Sequence, residues 1–188
     1  MEVAFEEAWQ FLAAGLAKIR RAVDGDGECL SSNEYMTLYT LVYNMCNQKP
    51  PHDRSDRLYQ RYKEDTENYI KSTVLPPLME MQGELLLREL VDTWRKHNRI
   101  VKFQAKIFGY LDRYYIAMRS LPSLGTVSLT SFQDMVFNKI KSRVTATVIS
   151  MIDDERDGKC IDRDLLKSVL DVFVQIDHYY EYSMFQGY

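Results

Sequence analysis

Apolar residues recur every three or four positions along most of this chain, and the recurrence breaks at a few stretches bearing Gly or Pro. From about Val3 to Val23, the residues Phe5, Trp9, Leu12, Leu16, Ile19 and Val23 form one stripe, the spacing of an amphipathic helix. DGDGE at 24–28 ends it. Ser31 and Glu34 then supply a capping box for a second helix, which stops before Lys49-Pro50-Pro51. A third helix is expected from about Asp53 to Leu75, with Tyr59, Tyr62, Thr66, Tyr69, Ile70 and Val74 on one side and Pro76-Pro77 closing it. A fourth spans roughly Gly83 to His97, carrying Leu86, Leu90 and Trp94, and a fifth roughly Ile100 to Ser120, ahead of Pro122. Thr130 and Gln133 read as a second capping box, opening a sixth helix with Phe132, Val136, Ile140, Val144, Val148 and Ile152. A seventh starts at Asp162 and holds Leu165, Leu166, Val169, Val172 and Phe173. No run of strands interrupts this pattern. The expected fold is all-α, with antiparallel neighbours and short connections.

The second helix, YMTLYTLVYNMC at 35–46, departs from a simple stripe. On a helical wheel Leu38, Leu41, Val42 and Met45 make a core stripe, and Tyr35, Met36, Tyr39, Tyr43 and Cys46 make another beside it. The apolar arc is about 220° wide, where a helix lying on a domain usually shows little more than about 100°. Two readings fit. Either this helix lies in the middle of the bundle with its Tyr hydroxyls at the rim, or Met36, Tyr39 and Tyr43 face a protein partner. Tyr brings rigid area with a polar tip and Met adapts its shape, which enriches both at interfaces. The fifth helix repeats the anomaly: Phe103, Ile107, Leu111, Tyr114 and Met118 make its expected core stripe, leaving Phe108 and Tyr115 outside it beside Asp112 and Arg119. Were the two helices neighbours, their surplus aromatics would form one patch with a charged edge.

Composition narrows the function classes. A chain of 188 residues buries enough surface to need no disulfide or metal staple, and 46% hydrophobic residues argue against disorder. The 24 basic and 27 acidic residues are interspersed, so no basic block points to nucleic acid. Cys29, Cys46 and Cys160 are widely spaced and odd in number, which fits reduced thiols in cytoplasm or nucleus. The acidic, amphipathic start is unlike a signal peptide, and no apolar run approaches the roughly 20 residues of a membrane span.

Catalytic chemistry finds no constellation. His52, His97 and His178 are isolated and read as surface or capping residues, and no nucleophile elbow, phosphate loop or dinucleotide fingerprint is present. Residues Asp153 to Asp164 nearly fit a calcium-binding loop, with Gly158 at the turn. The fit fails at three places: Asp164 is too short for the bidentate position, Glu155 is too long for position three, and Ile161 has no side-chain oxygen. A calcium-responsive helical protein is therefore the weaker rival to a helix end followed by an N-cap at Asp162. No metal or other cofactor is expected.

The stretches YMTLYTLVYNMCNQKPPHD, YLDRYYIAMRSLP and SMIDDERDGKCIDRDLLKSVLDVFVQI resemble the N-terminal region of cullins, in particular the plant forms of the SCF-type group. The resemblance runs from about residue 5 to 176. It implies a non-catalytic ubiquitin-ligase scaffold built of stacked five-helix repeats, here a first repeat at 1–121 and the truncated start of a second at 122–188. It implies docking of a Skp-type adaptor, itself carrying an F-box protein, through the second and fifth helices. Carried over by position, the docking residues are Tyr35, Met36, Tyr39 and Tyr43, and Tyr115 within Asp112-Arg113-Tyr114-Tyr115. Phe108, Asp112, Arg113 and Arg119 complete the expected patch. The C-terminal part that recruits a RING subunit in cullins has no counterpart in this sequence, so RING binding is not expected. The chain is then a piece of a longer scaffold, or a naturally short paralogue that occupies adaptors unproductively.

Overall fold

The computed structural model describes residues 5–47 and 54–185, with side chains to Asp177. His52, the Lys49-Pro50-Pro51 stop and the side chain of His178 lie outside the described residues. The described residues are helical with short connections. They divide into two compact units: one drawn from 1–65 and 96–128, the other from 66–95 and 129–188. These spatial units interleave along the chain and are a different division from contiguous repeats, so the boundary at 121/122 stands as an expectation.

Helix α1 (Phe5–Asp24) buries all six residues of its expected stripe. Gly25, at φ +90°, ends it. There the Asp26 amide donates to the Arg21 carbonyl at 2.9 Å and the Gly25 amide to the Ala22 carbonyl at 3.3 Å. That pair of bonds satisfies the last carbonyls of the helix and needs a left-handed residue, which Gly adopts without a Cβ penalty. Helix α2 (Ser32–Cys46) opens on the expected capping box: Ser31 Oγ accepts from the Glu34 amide, and Glu34 accepts from the Ser31 amide at 2.8 Å. Lys18 on α1 donates to the same Glu34 at 2.6 Å, and these bonds hold the Glu34 carboxyl down at about 2.

Helices α1 and α2 meet closely at Gly15, where an added Cβ would fall 2.5 Å from Leu38 Cδ1. Leu38 is itself buried, so its methyl groups would have to shift within the core. Gly15→Leu is expected to lower unfolding free energy by roughly 1–3 kcal/mol, the usual cost of overpacking. Urea denaturation would show it, and an unchanged midpoint would mean that the two helices part freely at this point.

Helix α3 (Ser55–Tyr69) does not end at the proline pair, contrary to expectation. It passes into a π-helical turn, π1 (Ile70–Val74), and then into α4 (Leu75–Glu80). The wide turn bonds the Leu75 amide to the Ile70 carbonyl five residues back. Pro76 and Pro77 then fall in the opening turn of α4, where a missing N–H costs nothing. The expected fourth and fifth helices are also not separate at 97–100. A single helix α5 (Gly83–Ile107) runs through that point, and the break comes at Phe108. Beyond it lie π2 (Leu111–Ile116) and the short α6 (Ala117–Arg119), ended by Ser120 at φ 50°.

The sixth helix starts earlier than the Thr130 capping box suggests. Helix α7 (Leu124–Phe132) is capped at Ser123, whose Oγ accepts from the Thr126 amide at 3.1 Å. It continues through π3 (Gln133–Phe137) into α8 (Asn138–Arg156). Thr130 is inside a helix because Ser123, directly after Pro122, already supplies the N-cap oxygen. Helix α9 (Arg163–Phe185) is capped as expected by Asp162, whose Oδ1 accepts from the Leu165 amide at 2.9 Å.

In the second unit, Leu86, Leu90, Trp94, Phe132, Val136 and Val169 share one apolar core with their neighbours. Three carboxylates of the segment that resembled a calcium site are paired with cations. Lys159 pairs with Asp154 at 2.6 Å, Arg163 with Glu155 at 2.6 Å, and Arg88 with Asp162 at 2.7 Å.

Candidate functional site

The expected neighbourhood of the second and fifth helices exists, within the first unit. Helix α2 lies against the segment that follows the break at Phe108. Tyr43 meets the Tyr110 ring edge-on with centroids 4.7 Å apart, and Tyr110 leans on Tyr114 at 4.5 Å. Tyr35 and Tyr39 stack at 6.4 Å. Arg113 locks the two elements together, donating through Nε to the Gly109 carbonyl and through its terminal nitrogen to the Tyr39 hydroxyl, both at 3.0 Å. Lower on the same seam, the Tyr35 hydroxyl donates to the Lys106 carbonyl at 3.0 Å. The result is two groups of tyrosines, the Tyr35–Tyr39 pair and the Tyr43–Tyr110–Tyr114 run, in which each ring is held by a neighbour, so little side-chain entropy is left to lose on contact with a partner.

Beside these rings Met36 is 55% exposed, and Tyr43 is 39% exposed. Both line a shallow depression of about 420 Å³ with Tyr39, Tyr110, Arg113 and Tyr114. Burial among the neighbouring phenols pushes the Tyr110 hydroxyl up from its ordinary value, so it stays a neutral hydrogen-bonding group. Tyr115 sits to one side, half-buried, with its hydroxyl donating to Asp56 at 3.0 Å and the Arg119 guanidinium 5.6 Å from its ring centre.

The structure corrects the expected patch at two residues. Phe108 is 0% exposed and packs edge-on against Tyr62 at 5.0 Å, so it belongs to the core and offers no surface. Asp112 turns inward: its Oδ1 accepts from the Leu124 amide at 3.0 Å, holding the start of α7, and burial pushes its carboxyl up. The expected core stripe of the fifth helix is displaced correspondingly. Tyr114 is 54% exposed and Met118 is 83% exposed, while Ile116 takes the buried position.

The cause is local. A π turn holds one more residue than an α turn, so every side chain after it is set back by about 100° relative to simple helical spacing. Tyr110 and Tyr114, which the wheel did not assign to the surface, were findable only through Gly109, a possible breaker in the middle of the apolar run.

Comparison with known proteins gives this surface a context. Residues 9–188 match the cullin family, in the part described as the cullin alpha solenoid domain. The chain is 51% identical over 172 residues to Cullin-1 of Oryza sativa subsp. japonica, covering 91% of this chain and 23% of that protein. It is 41% identical to Putative cullin-like protein 1 of Arabidopsis thaliana, with 91% of this chain and 24% of that protein covered. It is also 36% identical to Cullin-like protein 3 of the same plant, covering 93% of this chain and 67% of that relative. The chain thus spans about a quarter of the first two relatives and two thirds of the third. On the family match across nearly its whole length, this chain belongs to the cullin family, as an N-terminal cullin-repeat region similar to those of plant members.

Proposed function

We propose that this chain is the adaptor-docking module of a cullin-type ubiquitin-ligase scaffold, acting in cytoplasm and nucleus without catalysis of its own. Its partner is a Skp-type adaptor with an F-box protein attached. One observation carries the reading: Tyr39 and Tyr43 of α2 and Tyr110 and Tyr114 of the neighbouring segment line one partly exposed depression, with Tyr35 stacked on Tyr39 beside it. Arg113 and Arg119 border it, so the complementary surface carries apolar knobs and acidic groups. Recognition is by burial and shape. Tyr115 and Arg119 sit at the rim of the contact, and Phe108 and Asp112 act through the fold by holding the surface in place.

Titration calorimetry against a purified Skp-type adaptor tests this. Tyr39→Ala and Tyr43→Ala are each expected to weaken binding at least roughly tenfold, the scale of a central interface Tyr, with the far-UV dichroism unchanged. Unaltered affinity in both variants would remove the site assignment. Failure of the unsubstituted chain to bind, or its capture by a BTB-domain protein instead, would remove the partner.

A second reading has its own support in the 67% coverage of Cullin-like protein 3, a relative far shorter than Cullin-1. On that reading the chain competes for adaptors and lowers the assembly of complete ligases. Adding it to a reconstituted ligase would then slow substrate ubiquitination in proportion to adaptor occupancy.

A further inference from the structure

Beside the tyrosine surface, still within the first unit, lies a pocket of about 410 Å³. That is within the roughly 300–1,000 Å³ typical of small-molecule sites. Ile19 and Val23 of α1 and Ile107 of α5 are buried and form its floor. Leu30, Phe103 and Tyr35 form its walls. The Tyr35 hydroxyl bond to the Lys106 carbonyl ties the α2 wall to the α5 wall.

The polar groups of the lining are unequal. Lys106 supplies a cation, and the lining holds no carboxylate. Its ammonium lies 5.8 Å from the centre of the Phe103 ring and has no carboxylate partner among the described residues. The nearby Glu34 is already held by Lys18 and by the Ser31 amide. An apolar cavity with one uncompensated cation at its edge is complementary to a ligand with an aromatic or aliphatic body and one anionic group.

We infer that this pocket is a binding site for a small apolar monoanion, an aromatic carboxylate or sulfonate being the class that fits. The inference does not depend on adaptor docking, because the pocket is complete in the chain alone. It bears on docking through Met36, which lines both this pocket and the depression between the tyrosines.

The probe is 8-anilinonaphthalene-1-sulfonate, followed by its fluorescence on titration into the full chain, with N-phenyl-1-naphthylamine as the uncharged counterpart. One site per chain is expected. Lys106→Gln should weaken the sulfonate roughly three- to fivefold, as for an exposed ion pair, and leave the neutral compound unchanged. Leu30→Trp, which fills the cavity, should weaken both at least roughly tenfold. Leu170→Glu, in an exposed apolar position of α9, should change neither. Several sites per chain, a Leu170→Glu effect, or indifference to both Lys106→Gln and Leu30→Trp would overturn the assignment. Lys106 is exposed, so its variant folds and the charge arm stands even if Leu30→Trp does not.

Discussion

Tyr62→Ala lowers the unfolding free energy of this chain by about 3–5 kcal/mol, the range for removing a large aromatic from a packed core. Tyr62 is 1% exposed, and its ring meets Phe108 edge-on at 5.0 Å. Its hydroxyl donates to Gln104 Oε1 at 2.8 Å and shares a 2.8 Å bond with Ser128 Oγ. Ser128, fully buried, accepts in turn from His97 Nε2 through its carbonyl at 3.0 Å. A polar chain therefore crosses the core of the first unit, joining α3, α5 and α7 through groups that water does not reach.

Truncation at Tyr62 opens a cavity against Phe108 and strips two buried groups of their partner at once. Tyr62→Phe separates the contributions: it keeps the ring and leaves Gln104 Oε1 and Ser128 Oγ short of one bond each, at roughly 1–3 kcal/mol. Urea unfolding of the two variants measures both. A loss under about 1 kcal/mol for Tyr62→Ala would mean that the site collapses and refills, and that the polar chain contributes little.

Tyr62 also shows what the sequence made legible and what it did not. Its place on the inner face of α3 followed from spacing alone, as did the whole stripe of α1, the capping box at Ser31 and the N-cap at Asp162. These features are local: a period, or an oxygen three residues from an amide. What escaped were the three π turns, since no residue type marks the extra residue they hold. At π1 the proline pair read as a stop, because a proline inside an α-helix breaks a bond, whereas a preceding wide turn removes the conflict.

At π2 the consequence reached the candidate site. Tyr39 and Tyr43 of α2 were readable as surplus to a core stripe, because α2 is an unbroken α-helix. Tyr114 and Met118 lie on the other face from the one spacing gives because that spacing crosses a π turn, whereas Phe108, ahead of the turn, is buried beside Ile107 on a core face wider than the single stripe. Composition could not repair this, since Tyr and Phe serve equally in core and interface. The contact between α2 and the segment after Phe108, on which the docking surface depends, is a long-range fact that no spacing contains.

The same core makes the chain sensitive to mild acid. His97, which reads from sequence as a surface or capping residue, is instead 3% exposed. Its Nε2–H donates to the Ser128 carbonyl, a bond that fixes the neutral tautomer. Burial lowers its pKa from the ordinary 6.5 to about 4, with the Arg20 charge adding to the effect and the Ser128 bond opposing it. The folded state therefore resists protonation while the unfolded chain accepts it. The unfolded state binds the extra proton as pH falls through about 6.5, and stability begins to drop there. The drop continues until the folded state also protonates near 4, and levels off below that. At full extent the loss is about 3 kcal/mol. Roughly 2 kcal/mol of it is expected between pH 7 and pH 5, above the range of carboxyls held down by partners, and Asp112, pushed up by burial, is common to both proteins compared below. Glu34 and Asp162, whose pKa values are lowered by their partners, lose their contribution mainly at lower pH. Urea unfolding at pH 7, 6 and 5 measures the slope. In His97→Gln, which can still donate to Ser128 and does not titrate, the slope over that window should largely vanish. An equal slope in both proteins would mean that His97 protonates in place, and that the core around Ser128 admits charge or water as the pH falls.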